Sequence, residues 1–97
     1  MDMEKRHANI VEEILKPYPY AFYAFGSRVK GTSRKFSDLD LCYIVDIPFR
    51  DLRRITQEFE DSTLPFKVDI INYSRCTKSF QEHLKNELIL FNKNSNQ

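Results

Sequence analysis

This chain of 97 residues lacks both a cysteine framework and a long apolar run. Its two cysteines, Cys42 and Cys76, are widely spaced, which argues against a disulfide scaffold and against a zinc site. We expect buried free thiols, as in a reducing compartment. The N-terminus opens with charged residues rather than a signal-peptide core, and no run is long enough to cross a membrane. The sequence therefore predicts a cytoplasmic protein.

An excess of charge of one sign is also missing. The chain has 15 basic and 14 acidic residues, interspersed, and a formal net charge of +1. Proteins that bind nucleic acid non-specifically usually carry a basic patch. Direct nucleic-acid binding is therefore disfavoured, and no membrane association is expected.

What is present is enough apolar material for one core. Hydrophobic residues make up 41% of the chain, with eight Phe and five Tyr, and this excludes a disordered protein. A chain of this length forms a single domain, residues 1–97. The polar segment 92–97 is expected to be a frayed tail.

Apolar spacing alternates between helical and strand periods along the chain. Asp2 is expected to cap a first helix that ends before Pro17. Strands are predicted at 20–25, 38–46 and 66–72, a short helix at 27–31, longer helices after Pro48 and at 77–86, and a short extended piece at 89–91. In the second strand, Leu39, Leu41, Tyr43 and Val45 should pack on helices. This order predicts an α/β or α+β fold, a small mixed sheet flanked by helices.

The most informative motif begins with Gly26 and Ser27, where an apolar run ends in a turn. Glycine allows the backbone to approach a ligand closely, and N–H groups at a helix start favour phosphate. The Ser27 hydroxyl adds a further donor. We therefore predict a phosphate-binding turn at these two residues.

Two carboxylates follow at strand spacing. Asp38 and Asp40 should point to the same face, because side chains alternate along a strand. At about 4 Å and an effective dielectric of 20, two such charges repel by roughly 4 kcal/mol. Magnesium ions relieve this repulsion, since they bind one or two carboxylates together with substrate phosphates.

Asp69 is a third carboxylate, inside an otherwise apolar strand pattern. An unpaired charge there would be costly to bury, and a metal shared with Asp38 and Asp40 would provide a partner. Each feature alone has a plainer interpretation. The Asp-x-Asp pair is common in turns, Gly-Ser pairs are usually simple turns, and Asp69 could pair with Lys67 or Arg75. The combination, in this order, favours a metal-dependent enzyme.

The segments Gly26-Ser27-Arg28 with Gly31, Ser37-Asp38-Leu39-Asp40, and the later Asp69 resemble the DNA polymerase β-type nucleotidyltransferase superfamily. The resemblance covers about residues 4 to 91. The brevity of the chain is similar to that of minimal nucleotidyltransferases, the antitoxins of HEPN–MNT toxin–antitoxin pairs. The implied fold is the nucleotidyltransferase fold.

The resemblance also implies roles for these residues. Asp38 and Asp40 would hold two Mg²⁺ ions, and Asp69 would hold one of them and help deprotonate the acceptor hydroxyl. Gly26 and Ser27 would bind the outer phosphates of the nucleotide, with Arg28 neutralising charge there. The implied reaction transfers AMP from ATP to a tyrosine hydroxyl of a HEPN ribonuclease toxin.

The chain has no room for an acceptor-binding domain, so a partner or a second copy would have to supply the acceptor pocket. Two alternatives remain open from the sequence. The protein could bind nucleotide and neutralise its toxin by forming a complex without catalysis. It could also modify a small molecule or an RNA.

Overall fold

Helices alternate with strands in a computed structural model that describes residues 1–92. In chain order the elements are α1 (Lys5–Leu15), β1 (Tyr23–Phe25), α2 (Ser27–Lys30), β2 (Leu39–Tyr43), α3 (Phe49–Glu60), β3 (Val68–Asn72), α4 (Lys78–Leu84) and β4 (Ile89–Leu90). A short 3₁₀ turn, Tyr73–Arg75, follows β3. Within the described residues, no helix combines the length and apolar character that a membrane crossing requires.

The four strands form one mixed sheet in the order β3-β2-β1-β4. β1 runs antiparallel to β2 and to β4, whereas β2 and β3 are parallel. Parallel neighbours need a long crossover connection, and α3 provides it. The predicted mixed sheet flanked by helices is therefore confirmed.

The two faces of the sheet bury different residues, because side chains alternate along each strand. One face packs with α1 and α3 into the larger core, which includes Leu39 and Leu41 of β2 and Ile55 of α3. The other face, which we call the acid face, bears Asp40 and Cys42 of β2 and Asp69 of β3. Its apolar part packs on Leu84 of α4.

Several predicted boundaries were too generous. β1 begins at Tyr23 rather than at residue 20. β2 ends at Tyr43, because the chain then bends toward Pro48 and α3. The prediction that Val45 packs on a helix was wrong, since its side chain is 80% exposed.

Asp2 does not cap α1. The residue at the cap position is Glu4, whose side chain makes no capping hydrogen bond. Asp2 instead accepts a hydrogen bond from the Ser33 hydroxyl, and its N–H donates to the carbonyl of Arg28 at 2.8 Å. Asp2 therefore connects the N-terminus to α2 and to the loop that follows it.

Asn92, predicted as the first residue of a frayed tail, is 3% exposed. Its side-chain oxygen accepts from the N–H of Phe22 at 2.9 Å, and its side-chain nitrogen donates to the carbonyl of Tyr20 at 2.9 Å. These bonds hold Asn92 against the segment that precedes β1, just beyond the β1–β4 pairing. The prediction of a frayed tail was therefore wrong at Asn92. Residues 93–97 lie outside the described residues.

Candidate active site

Gly26 joins the end of β1 to α2 in a conformation that few other residues adopt. Its φ is 85° and its ψ is −159°, a combination that is essentially confined to glycine. A methyl group on Gly26 would also overlap the Asp40 carboxylate. The turn and the acidic strand are therefore in direct contact, which requires glycine for two independent reasons.

The first N–H groups of α2 face away from the helix ladder. The carbonyl of Gly26 accepts from Val29 and Lys30, each at 3.1 Å. No hydrogen bond within residues 1–92 uses the N–H of Ser27 or of Arg28, or the Ser27 hydroxyl. These donors are available to an anion beside Asp40, as the phosphate-turn prediction requires.

Arg28 has a different position from the one expected of a nucleotide ligand. The side chain is 5% exposed, and its guanidinium donates to the carbonyl of Ser37 at 2.8 and 3.1 Å and to that of Asp2 at 2.9 Å. It also lies 4.1 Å from the ring centre of Phe66. The guanidinium is committed to the loop and the N-terminus, so these contacts give no support to a nucleotide-binding role.

The acids are brought together by strand pairing. Asp40 is the register partner of Asp69 in the parallel pair β2–β3, and of Phe25 in the antiparallel pair β1–β2. Asp38 immediately precedes β2, two residues before Asp40. The structure therefore places Asp40 and Asp69 side by side on the acid face, with Asp40 against Gly26 and Asp38 just before the strand.

Burial and neighbouring charge act together on Asp40. Burial raises the pKa of its carboxyl group, and the carboxylates of Asp69, Asp38 and Glu87 raise it further. Asp40 is half-buried, whereas Asp38 and Asp69 are exposed. The site therefore carries an excess of negative charge around its most buried member.

The donor set fits a hard divalent cation by its chemistry, because carboxylate oxygens are the protein ligands that Mg²⁺ prefers. A cation would also offset the charge that raises the pKa of Asp40. In the described part of the chain, no three His, Cys, Asp or Glu side chains already converge closely enough to hold an ion. Repulsion between like charges is a physical reason for such a spread arrangement.

Sequence reasoning missed Glu87, which lies in the turn between α4 and β4. Its carboxylate raises the pKa of Asp40 and pairs with the Lys30 ammonium at 3.5 Å. Lys30 is the last residue of α2 and is therefore a cation at the rim of the acid site. No sequence signal pointed to Glu87, since it is distant in the chain from every motif.

The two histidines lie outside this cluster. His7 packs edge-on against Phe66, and His83 stacks with Phe80. Both cysteines are free, as predicted, but only Cys42 is buried and Cys76 is partly exposed. Burial raises the pKa of the Cys42 thiol to about 11, which keeps it protonated near neutral pH.

Comparison with known proteins agrees with this geometry. The profile of the family described as "Polymerase beta, Nucleotidyltransferase" matches residues 9–96. The Haemophilus influenzae protein named "Probable protein adenylyltransferase MntA" is 36% identical over 89 residues, which span 88% of this chain and 78% of that relative.

A solved structure described as a toxin–antitoxin with AMP-PNP has a TM-score of 0.64 to this chain. The two are 18% identical, and the match covers 87% of this chain and 71% of that one. At this identity the likeness concerns the fold. The turn at Gly26, the paired acids of β2 and β3, and these sequence matches together show that the chain belongs to the polymerase β nucleotidyltransferase family.

Proposed function

We propose that this protein is a magnesium-dependent protein adenylyltransferase that acts as an antitoxin. The observation that carries the proposal is the direct contact of Gly26 with Asp40, which is itself in register with Asp69. This contact joins a set of phosphate donors to a set of metal-binding carboxylates. The relative named as a protein adenylyltransferase supports AMP as the group and protein as the acceptor.

In this proposal Asp38, Asp40 and Asp69 hold two Mg²⁺ ions. When bound, the ions would stabilise the charge on the reacting phosphate and on the leaving pyrophosphate. The acceptor oxygen forms a bond to the α-phosphorus of ATP as the bond to pyrophosphate breaks. Asp69, exposed at the outer strand, accepts the proton of the acceptor hydroxyl.

The outer phosphates are bound by the turn. The N–H groups of Ser27 and Arg28 and the Ser27 hydroxyl are donors without a protein acceptor among residues 1–92. Lys30 replaces Arg28 as the neutralising cation, because its ammonium lies at the rim of the site and, among residues 1–92, pairs with Glu87 alone. A triphosphate would compete with Glu87 for this ammonium.

The acceptor in this proposal is a tyrosine hydroxyl of a HEPN ribonuclease toxin. The resemblance of the motifs to minimal nucleotidyltransferases supports this choice, as does the fold shared with a toxin–antitoxin structure. We also propose that the protein consists of one domain and that it functions in the cytoplasm.

The test uses labelled ATP, Mg²⁺ and the product of the neighbouring gene. We expect label on that protein with the wild type, and a loss of about 10²- to 10⁴-fold with D69N, the size of a general-base contribution. D38N and D40N should also lose transfer. D61N is the matched control, since Asp61 is an exposed acid at the end of α3, hydrogen-bonded to Gln57.

Two results would contradict the proposal. Wild-type turnover in D40N or D69N would exclude the metal-site assignment. A tight complex that neutralises the toxin without any label would instead support occlusion without catalysis.

A further inference from the structure

The outer edge of β3 has hydrogen-bonding groups that the rest of the described chain does not use. β3 is the last strand on its side of the sheet. The N–H of Leu39 donates to the carbonyl of Lys67 at 2.9 Å, so the parallel ladder directs the peptide groups of Asp69 and Ile71 toward β2. By alternation, the N–H and C=O groups of Val68 and Ile70 point away from the sheet.

These four groups can form hydrogen bonds with another strand. Outside the ladder, no hydrogen bond among residues 1–92 involves the backbone of Val68 or Ile70. β3 contains no proline and has no positive φ angle, so each of its residues keeps an N–H group and a backbone suited to pairing. A strand edge of this kind pairs readily with an extended polypeptide.

A groove of about 500 Å³ runs along the same edge, between α3 and β3. Leu52 and Phe59 of α3 line it, together with Leu64 and the side chains of Val68 and Ile70. Asp69 also lines this groove. The open edge and the acid site therefore share a residue, and the acid is the one proposed to receive the acceptor proton.

We propose that the free edge of β3 binds an extended segment of the protein partner as an additional antiparallel strand, which presents the acceptor hydroxyl to Asp69. This inference rests on the proposed function, because it specifies how the protein acceptor is held. The occupant is a polypeptide, since alternating N–H and C=O groups at strand spacing are matched by another backbone.

The register of the added strand follows from the ladder. The peptide groups of Asp69 face β2, so the partner residue opposite Asp69 occupies a non-hydrogen-bonded position. At such positions Cα atoms are about 4.5 Å apart and side chains are closest. That residue points to the acid face, whereas its two neighbours point into the groove. The site therefore recognises a hydroxyl-bearing residue between two apolar residues.

Synthetic peptides test this register in the full-length protein. The probe is a short soluble peptide with the central sequence Val-Tyr-Val. N-methylation of both valines removes the N–H groups that would pair with β3. N-methylation of the tyrosine alone is the matched control, because its N–H would point away from β3.

The first readout is amide hydrogen exchange at Val68 and Ile70. We expect protection of at least about tenfold with the unmodified peptide and with the tyrosine-methylated peptide, and none with the valine-methylated peptide. No protection with any peptide, or equal protection with all three, would overturn the inference. Protection that rises with protein concentration alone would assign the edge to a second copy and overturn it as well.

The second readout is labelling of the same peptide from ATP by two variants. I70P removes the outward N–H, and proline is tolerated where that group lies on a free edge. I70A truncates the same side chain but keeps the N–H. We expect I70P to lose peptide labelling relative to I70A while the two variants bind ATP equally. Equal labelling by I70P and I70A would contradict the inference.

Failure of the proposed function gives a different pattern. Protection at Val68 and Ile70 without any labelling by the wild type would support the edge site and count against the transfer reaction. If I70P does not fold, exchange with the methylated peptides still decides the outcome.

Discussion

Gly26 is the residue at which the phosphate turn and the acidic strand depend on each other. Its positive φ strains any side chain, and a Cβ there would also force the Asp40 carboxylate to move. Gly31, at the other end of α2, also has a positive φ, of 76°, but nothing lies within 4 Å of a Cβ there. A substitution at Gly31 would therefore meet backbone strain alone, whereas one at Gly26 would also meet the Asp40 side chain.

This difference predicts unequal effects of alanine. G31A should lower the free energy of unfolding by roughly 1 to 2 kcal/mol, the cost of a left-handed conformation. G26A should lower it by more, and should also weaken ATP binding because it displaces Asp40. Denaturant unfolding and nucleotide titration measure the two quantities. Equal losses of stability, with ATP binding intact in both, would refute the contact.

Arg28 and Lys30 are two cations in the same short helix with different surroundings. Arg28 is buried against three carbonyl groups and Phe66, whereas Lys30 is exposed beside Glu87. Removal of buried charged hydrogen bonds usually costs about 1.5 to 3 kcal/mol. The structure therefore separates a buried cation that stabilises the fold from an exposed cation to which the proposed function assigns ATP binding.

We expect R28M to lower the free energy of unfolding by about 2 to 3 kcal/mol. K30M should leave stability nearly unchanged and raise the KM for ATP. Thermal unfolding and steady-state kinetics of both variants distinguish these roles. A K30M enzyme with normal KM, or an R28M protein of normal stability, would contradict the assignment.

At the scale of elements, the segment before β1 is held from two sides. The hydroxyl of Tyr20 donates to Asp51 of α3 at 2.6 Å, and that of Tyr18 donates to Glu58. Asn92 pairs with Tyr20 and Phe22 on the other side. These side-chain bonds replace the strand hydrogen bonds that the sequence had predicted for residues 20–22.

N92A should leave one N–H and one C=O of this segment without a partner. At about 1 to 3 kcal/mol for each buried group, we expect a loss of about 2 to 4 kcal/mol in the free energy of unfolding. N86A, at an exposed residue after α4, is the control and should have little effect. Urea denaturation of both variants provides the comparison.

The Tyr18–Glu58 bond predicts a dependence of stability on alkaline pH. Burial, followed by the bond to Glu58, raises the pKa of Tyr18 from 10.0 to about 12. The folded state therefore retains the phenol proton more tightly than the unfolded state. The resulting stabilisation is fully present below pH 10 and is lost as the pH rises toward about 12.

Y18F lacks this ionisable group, so its stability should fall less over the same interval. We expect the difference in unfolding free energy between wild type and Y18F to shrink from pH 10 to pH 12, as measured by urea denaturation. A constant difference would show that Tyr18 ionises alike in both states.

At the scale of the whole molecule, stability and the acid site oppose each other. The raised pKa of Asp40 means that its protonated form is favoured in the folded state. That contribution is lost as the pH rises from the unfolded value of 3.8 through the raised folded value. At neutral pH, the ionised carboxylate therefore lowers the free energy of unfolding.

D40N should consequently be more stable than the wild type at pH 7 without divalent ions, although it loses transfer activity. Added Mg²⁺ should raise the Tm of the wild type, with about 2.7 kcal/mol gained at 100 times the Kd, and should not affect D40N. Thermal melts with and without Mg²⁺ test both statements. A D40N protein that Mg²⁺ stabilises as much as the wild type would exclude Asp40 as a ligand.

Local periodicity made much of this protein predictable. The order of helices and strands followed from residue spacing, since each element selects its apolar residues over a few positions. The position of Asp40 on the face opposite Leu39 and Leu41 is likewise a property of one strand. The boundaries at Tyr23, Tyr43 and Asn92 did not follow, because side chains from distant segments determine where the ladders end.

The available chemistry could be read from the residues alone: a glycine turn, three carboxylates and a chain of nearly neutral charge. Which of these groups meet depends on the folded arrangement of the elements. Strand pairing placed Asp40 beside Asp69, folding of the loop turned Arg28 inward, and the α4–β4 turn brought Glu87 to Lys30. The same arrangement also left the edge of β3 open. Spacing along a chain fixes the direction of a side chain within its own element, whereas contacts between elements depend on packing of the whole core.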